Sequence, residues 1–225
     1  MDVDAINQKE LVDFLRPHFE SSDDLIYFLS DVFDYQNGPI VKRQMLFQTL
    51  RFVSLANNIE KISPASDGLK LLFIKICIES LHSLSGGKKD FYEAFCDCFS
   101  DEGKHYILNH FKLFSFTDEY RGHIFETSHN ITLLDFLYII KAIRDRIAHD
   151  GEHWSMQFFV YDEDVTYFVS METEDKMIKS YQYHRKNKLM TEYHFETSLN
   201  YDRFIYFFVE ACINYVRSFF KLSSN

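Results

Sequence analysis

Arg144 and His149 stand five residues apart within the run Asp135–Trp154, DFLYIIKAIRDRIAHDGEHW, where the chain concentrates its usable chemistry. An arginine stays charged at any working pH and offers a planar fork of donors that can hold two phosphate oxygens. A histidine titrates close to neutrality and can carry protons to and from a reacting group. The two together suit cleavage of a phosphodiester, in which a 2′-hydroxyl must be deprotonated and charge gathering on the phosphate offset. Lys141, Arg146 and His153 surround the pair with further positive or titratable groups. Asp145 lies four residues before His149, so on a continuing helix its carboxylate is placed to orient the imidazole. The plainer alternative is that Arg144, Asp145, Arg146 and Asp150 make surface ion pairs while His149 caps a helix end.

The surroundings of the pair are as informative as the pair. Leu133, Phe136, Leu137, Ile140, Ile143 and Ile147 recur at steps of three and four, which is one apolar face of a helix. Thr132 supplies its cap, and Asp150-Gly151 supplies its stop, since glycine tolerates the left-handed backbone at a helix C-terminus. In that context Arg144-Asp145-Arg146-Ile147-Ala148-His149 resembles the arginine, polar residue, three residues, histidine signature of the HEPN superfamily. The specific part of the resemblance runs from about Leu133 to Gly151, roughly a tenth of the chain.

The resemblance implies a helical bundle and, for many members, metal-independent endoribonuclease activity in toxins, abortive-infection proteins and CRISPR-associated nucleases. It implies Arg144 and His149 as the catalytic pair, Asp145 as the polar residue beside them, RNA as substrate, and no cofactor or metal. One histidine does not readily serve as base and acid at once. The superfamily brings two motifs together across a dimer, so a homodimer is expected, with an antitoxin or other defence-system protein as a further partner. The superfamily also contains inactive members, and a module that binds RNA or protein without cutting is the alternative. Some of its toxins carry a tyrosine two residues after the histidine, which a partner nucleotidyltransferase modifies. Gly151 stands there, so that mode of neutralisation is not expected.

A second spelling overlaps the first. His149-Asp150-Gly151-Glu152-His153 matches the His-x-x-Glu-His of one class of zinc peptidase, which needs both histidines on one unbroken helix. Gly151 sits in its middle, and Glu210 is only a remote third ligand. His105, His110, His123 and His129 lack helical ligand spacing and are expected at the surface. Ser85-Gly86-Gly87-Lys88-Lys89 lacks the spacing of a phosphate-cradling loop. The cysteines, Cys77, Cys96, Cys98 and Cys212, show no zinc-knuckle spacing and suit buried thiols in a reducing compartment.

A net charge of −10 argues against a broad electrostatic grip on nucleic acid, so any RNA contact has to be local. Hydrophobic residues make up 46% and aromatics 17%, with only 3 Pro and 7 Gly, a balance expected of thick aromatic packing between long helices. The opening Met-Asp-Val-Asp-Ala lacks the regions of a signal peptide, and no run is long enough for a bilayer, so a cytoplasmic protein with no membrane association is expected.

The elements that must position the pair follow from periodicity. Helices are expected over 8–19, 22–35, 40–62 and 69–84, the last apolar enough to be central. Helix is expected again from Lys88 to about Phe114, broken near 100–103, followed by a polar loop from Thr117 to Asn130. After Gly151 the period becomes two. Strands are expected at Trp154–Tyr161, Val165–Met171, Lys179–Tyr183 and Thr191–Glu196, and a final helix over Phe204–Lys221. The turn between the last two strands carries Arg185, Lys186 and Lys188, a second candidate for backbone contact with RNA. The fold expected is mainly α, a single HEPN-like domain. Residues 1–38 add N-terminal helices to a bundle of 40–151 and 200–222, and 154–199 form a small antiparallel β insertion before the last helix.

Overall fold

The computed structural model describes residues 3–34, 40–62, 67–118, 123–126, 131–150, 158, 166–173 and 191–222. Helices dominate: α1 (Val3–Leu15), α2 (Ser22–Val32), α3 (Ile40–Asn58), α4 (Asp67–Leu84), α5 (Phe91–Asp97), α6 (Asp101–His110), α7 (Leu133–Asp150) and α8 (Tyr201–Leu222). Short 3-10 turns follow α1 (Arg16–His18) and α3 (Ile59–Lys61). Several starts are written in side chains that satisfy the open N–H groups of the first turn. The Ser21 hydroxyl accepts from Asp24 N at 3.1 Å, Thr132 Oγ1 from Asp135 N at 3.1 Å, and Asn200 Oδ1 from Arg203 N at 3.0 Å. Thr132 and Asp135 close a reciprocal box, since the Asp135 carboxylate accepts from Thr132 N at 2.8 Å.

The core is one continuous cluster. Of the apolar face read for α7, Leu133, Phe136, Leu137, Ile140 and Ile143 are buried. α4 packs between α3 and α7, which is why it reads apolar nearly all round. α8 packs on α3, α5 and α6 and brings aromatic rings against those of α5; Tyr215 meets Phe91 edge-on at 5.2 Å. On α3, Met45, Leu46, Leu50 and Val53 are buried, while Leu55 is exposed. Where α6 meets α8 the approach is close, because a Cβ built on Gly103 would stand 3.1 Å from the Phe207 side chain. Gly103→Val is therefore expected to cost about 1–3 kcal/mol through overpacking, read as a lower urea midpoint with an unchanged slope.

The sheet corrects the sequence expectation. Its strands are β1 (Phe111–Asp118), β2 (His123–Glu126), β3 (Thr166–Thr173) and β4 (Thr191–Thr197), in the antiparallel order β2-β1-β4-β3. Half of it precedes the motif helix, so it is not an insertion confined to 154–199. The helix expected to reach Phe114 ends at His110, and the segment read as a polar loop contains most of a hairpin. The reason is a break in phase. The β1–β4 register steps from Leu113↔Phe195 to Ser115↔His194, leaving Phe114 as an extra residue on one strand. Apolar Phe111, Leu113, Phe114 and Phe116 then mix steps of one, two and three, which hides the strand period.

Thr166–Thr173 and Thr191–Thr197 pair with each other, Thr166 opposite Thr197 and Thr173 opposite Thr191. The strand expected at Lys179–Tyr183 lies outside the described residues, as does that at Trp154–Tyr161 apart from Phe158. Phe158 donates its N–H to the Asp67 carboxylate at 2.7 Å and stacks on Phe204, ring centres 5.7 Å apart. No helix among the described residues is long and apolar enough to cross a membrane.

Candidate functional site

The stretch that positions the motif is the contact of α7 with α4 and α5. On α7, Tyr138, Lys141 and Arg144 recur at steps of three and so share one face. On α4, Lys75, Glu79 and His82 recur at four and three, a polar stripe on an otherwise apolar helix. Arg144 Nη2 donates to Glu79 Oε1, and Lys75 Nζ lies 3.6 Å from the same oxygen. Lys75 also donates to the Tyr92 hydroxyl from α5, and the Tyr92 ring leans on Tyr138 at 5.5 Å between centres. His82 Nε2 lies 3.0 Å from the Lys88 carbonyl, its ring against Phe91.

Exposure grades the cluster from its floor to its rim. The Lys75 side chain is 0% exposed, Arg144 22% and Glu79 34%. An ammonium with no access to water is costly unless its charge is met by its neighbours. Two other lysines with little exposure show what a full complement looks like. Lys42 pairs with Asp31 at 2.6 Å. Lys70 pairs with both Glu60 and Asp67 and lies 4.4 Å over the Tyr201 ring. Burial pulls the Lys70 ammonium down, but hydrogen bonds to Glu60 and Asp67 outweigh it and leave its pKa raised.

Lys75 shares the Glu79 carboxylate with Arg144, and the balance goes the other way. Burial pushes its pKa down to about 8; Glu79 opposes this, while Lys141 and Arg144 reinforce it. The Glu79 carboxyl is raised by burial, yet the hydrogen bond from Arg144 and the field of Lys75 hold it below its ordinary value. Among the described residues the cluster thus gathers Lys75, Lys141 and Arg144 about the Glu79 carboxylate, with Glu93 and Asp135 acting on Tyr138 beside them.

Of the residues named from the sequence, Arg144 and Lys141 belong to this cluster. Asp145, Arg146 and His149 ride on the last turns of α7, their side chains outside the described residues. His153, Arg185, Lys186 and Lys188 lie outside the described residues altogether, as does most of the His-x-x-Glu-His spelling. Glu210, its remote third ligand, accepts a hydrogen bond from the Ser100 hydroxyl at 2.8 Å. His105 is exposed, but His110 is half-buried, with Nδ1 2.8 Å from the Ser198 hydroxyl. The cysteines are all free; Cys77 and Cys212 are buried, Cys96 and Cys98 only partly so.

Sequence reasoning missed Lys75, Glu79 and Tyr92. The signal was present: Lys75 is the one charge inside Leu71-Leu72-Phe73-Ile74-Lys75-Ile76-Cys77-Ile78, with Glu79 four residues on. A separate groove of about 500 Å³ lies along α3, lined by Glu10, Phe47, Arg51 and Leu55 among others, and Arg144 and Lys141 are not among its described lining residues.

The described residues thus define a mainly helical protein with an antiparallel sheet and a charged cluster where α4, α5 and α7 meet. Comparison with family models, with curated proteins and with solved structures finds no match to the chain.

Proposed function

We propose that the protein is a metal-independent endoribonuclease of HEPN-like fold that cleaves single-stranded RNA as a homodimer. The observation that carries this reading is the half-buried Arg144 on the motif helix, which among the described residues shares the Glu79 carboxylate with the buried Lys75 and lies near Lys141. A guanidinium at that rim offers a fork of donors to an oxyanion, and a phosphodiester is the anion that the motif suits.

In the proposed reaction, His149 of one copy takes the proton of the 2′-hydroxyl as its oxygen attacks the adjacent phosphorus. Arg144 offsets the charge on the non-bridging oxygens. The bond to the 5′-oxygen breaks, and the imidazolium of a second copy's His149 returns a proton to it. The products are a 2′,3′-cyclic phosphate and a free 5′-hydroxyl. Asp145 orients His149, and Lys141, Arg146 and His153 steer the strand, with the Arg185, Lys186 and Lys188 turn as a further contact. The setting proposed is a toxin or phage-defence effector held in check by a partner protein.

Incubation with single-stranded RNA in EDTA tests this. Cleavage to 2′,3′-cyclic ends is expected, falling by at least about 100-fold in Arg144→Ala and in His149→Ala alike. Mixing the two inactive variants is expected to restore little activity, because each site draws on both copies. Cleavage that survives both substitutions, or a protein that stays monomeric at every concentration, overturns the reading. The alternative, a module that binds without cutting, draws on the Glu79 contact, since an arginine engaged by an internal carboxylate is not directly presented to phosphate. RNA binding without cleavage is its signature.

A further inference from the structure

We propose that the Glu79 carboxylate occupies the place of the substrate phosphate, holding Arg144 until an oxyanion displaces it. The inference rests on the reading of Arg144 as a phosphate-binding group, and it adds a resting state to that site.

The geometry of the contact is the first argument. A carboxylate that merely orients an arginine can do so from the side of the guanidinium turned toward the protein. Here Arg144 Nε is buried, and Glu79 engages the terminal Nη2 instead. Glu79 thus takes a terminal nitrogen of the fork, one of the two that a phosphate would use. Exposure is the second argument. Glu79 and Arg144 meet at the rim, at 34% and 22%, whereas Lys75 beneath them is 0% exposed. An anion can therefore reach the pair without opening the core, and a displaced Glu79 side chain has solvent to enter.

Charge is the third. Lys141 and Arg144 both act on Lys75, and among the described residues Glu79 is the carboxylate that Lys75 and Arg144 share. A phosphodiester carries a single negative charge, as the carboxylate does. Exchanging one for the other leaves the balance around the buried Lys75 unchanged, so the ammonium is never stranded. Lys75 also keeps its bond to the Tyr92 hydroxyl through the exchange, so the floor of the site stays in place.

The test is binding, measured without cleavage. The probes are inorganic phosphate and thymidylyl-(3′→5′)-thymidine, which lacks the 2′-hydroxyl, each titrated calorimetrically at low salt. Glu79→Gln keeps the shape and removes the charge. It is expected to tighten binding of both probes by roughly tenfold, and Arg144→Ala to abolish binding with or without Glu79→Gln. Glu93→Gln on the exposed face of α5 removes the same charge without touching Arg144, and is expected to change affinity by no more than about threefold. In wild-type protein the Arg144 guanidinium NMR signals, assigned by their loss in Arg144→Ala, are expected to shift on adding phosphate. This readout needs no Glu79 variant to fold.

Weaker or unchanged binding in Glu79→Gln shows that Glu79 positions Arg144, and overturns the proposal. So does an equal gain in Glu93→Gln, or Arg144 signals that ignore phosphate. Binding that follows the expected pattern in a protein that never cuts RNA leaves the displacement standing and removes the nuclease reading. Cutting with no response to Glu79→Gln does the reverse.

Discussion

Lys75→Met is expected to stabilise the protein at neutral pH by about 1–2 kcal/mol and to destabilise it in strong alkali. Burial holds the Lys75 ammonium at a pKa of about 8 against an ordinary 10.5. At about 1.4 kcal/mol per pH unit, that is roughly 3 kcal/mol of cost for keeping the charge in the fold. Methionine fills a similar volume without a charge. What is lost is the bond to Tyr92, about 1–2 kcal/mol. Glu79 is not stranded by the change, because it is part-exposed and keeps Arg144. For a chain of this size each kcal/mol moves Tm by roughly 2–4 °C.

The pH dependence is the sharper part of the expectation. Below pH 8 the lysine is charged whether the chain is folded or unfolded, so the advantage of Lys75→Met is flat. Between about 8 and 10.5 the unfolded chain binds the extra proton, so the wild type gains stability relative to the variant. The difference is expected to cross zero at about pH 9–10 and reverse beyond it. Other groups pull the opposite way in alkali. Burial pushes the Cys96 thiol up to about 12 and raises the Tyr201 hydroxyl, and both withdraw stability as pH rises. They are common to wild type and variant and cancel in the difference. Parallel urea titrations across pH measure it; a variant less stable at pH 7 with a flat difference would show that Lys75 keeps its ordinary proton affinity.

Phe136→Ala is expected to cost more, about 3–5 kcal/mol. The ring is fully buried on α7 and lies edge-on to Phe111, where β1 begins, at 5.0 Å, and to Phe204, at the start of α8, at 5.8 Å. It is where the motif helix, the sheet and the last helix are joined, so a cavity there has three elements to rearrange before it can close. Against a total stability of about 5–15 kcal/mol, the loss leaves a marginal protein. Phe136→Leu, which keeps most of the volume, is expected to lose less than half as much. A drop in the urea midpoint of the alanine variant no larger than that of the leucine variant would show that the site collapses freely.

The helices were legible where one face of a regular period is buried and a capping side chain marks the start. α7 is the clearest case: its apolar spacing and the Thr132 cap give its start and its buried face. β1 was not legible, because an extra residue at Phe114 scrambles its alternation and because its partner β4 lies far along the chain. Lys141 and Arg144, the part of the candidate cluster borne by α7, could be read from residue types. The part borne by α4 and α5 could not be read directly, since which helix faces Arg144 is decided by packing. Its trace in the sequence is a lysine where an apolar helix has no use for one.

The central ladder of the sheet joins Phe111 to Thr197 and Asp118 to Thr191, with the whole of α7 in the chain between them. During synthesis the motif helix therefore leaves the ribosome before that ladder can close. α3 and α4 pair locally and can meet early, whereas β1 must wait for β4 and meet the cost of a long loop. Through that interval a strand carrying Phe111, Phe114 and Phe116 keeps an open edge, the kind of template on which partly made chains associate. The nascent protein depends on a strand made after the motif helix to protect one made before it.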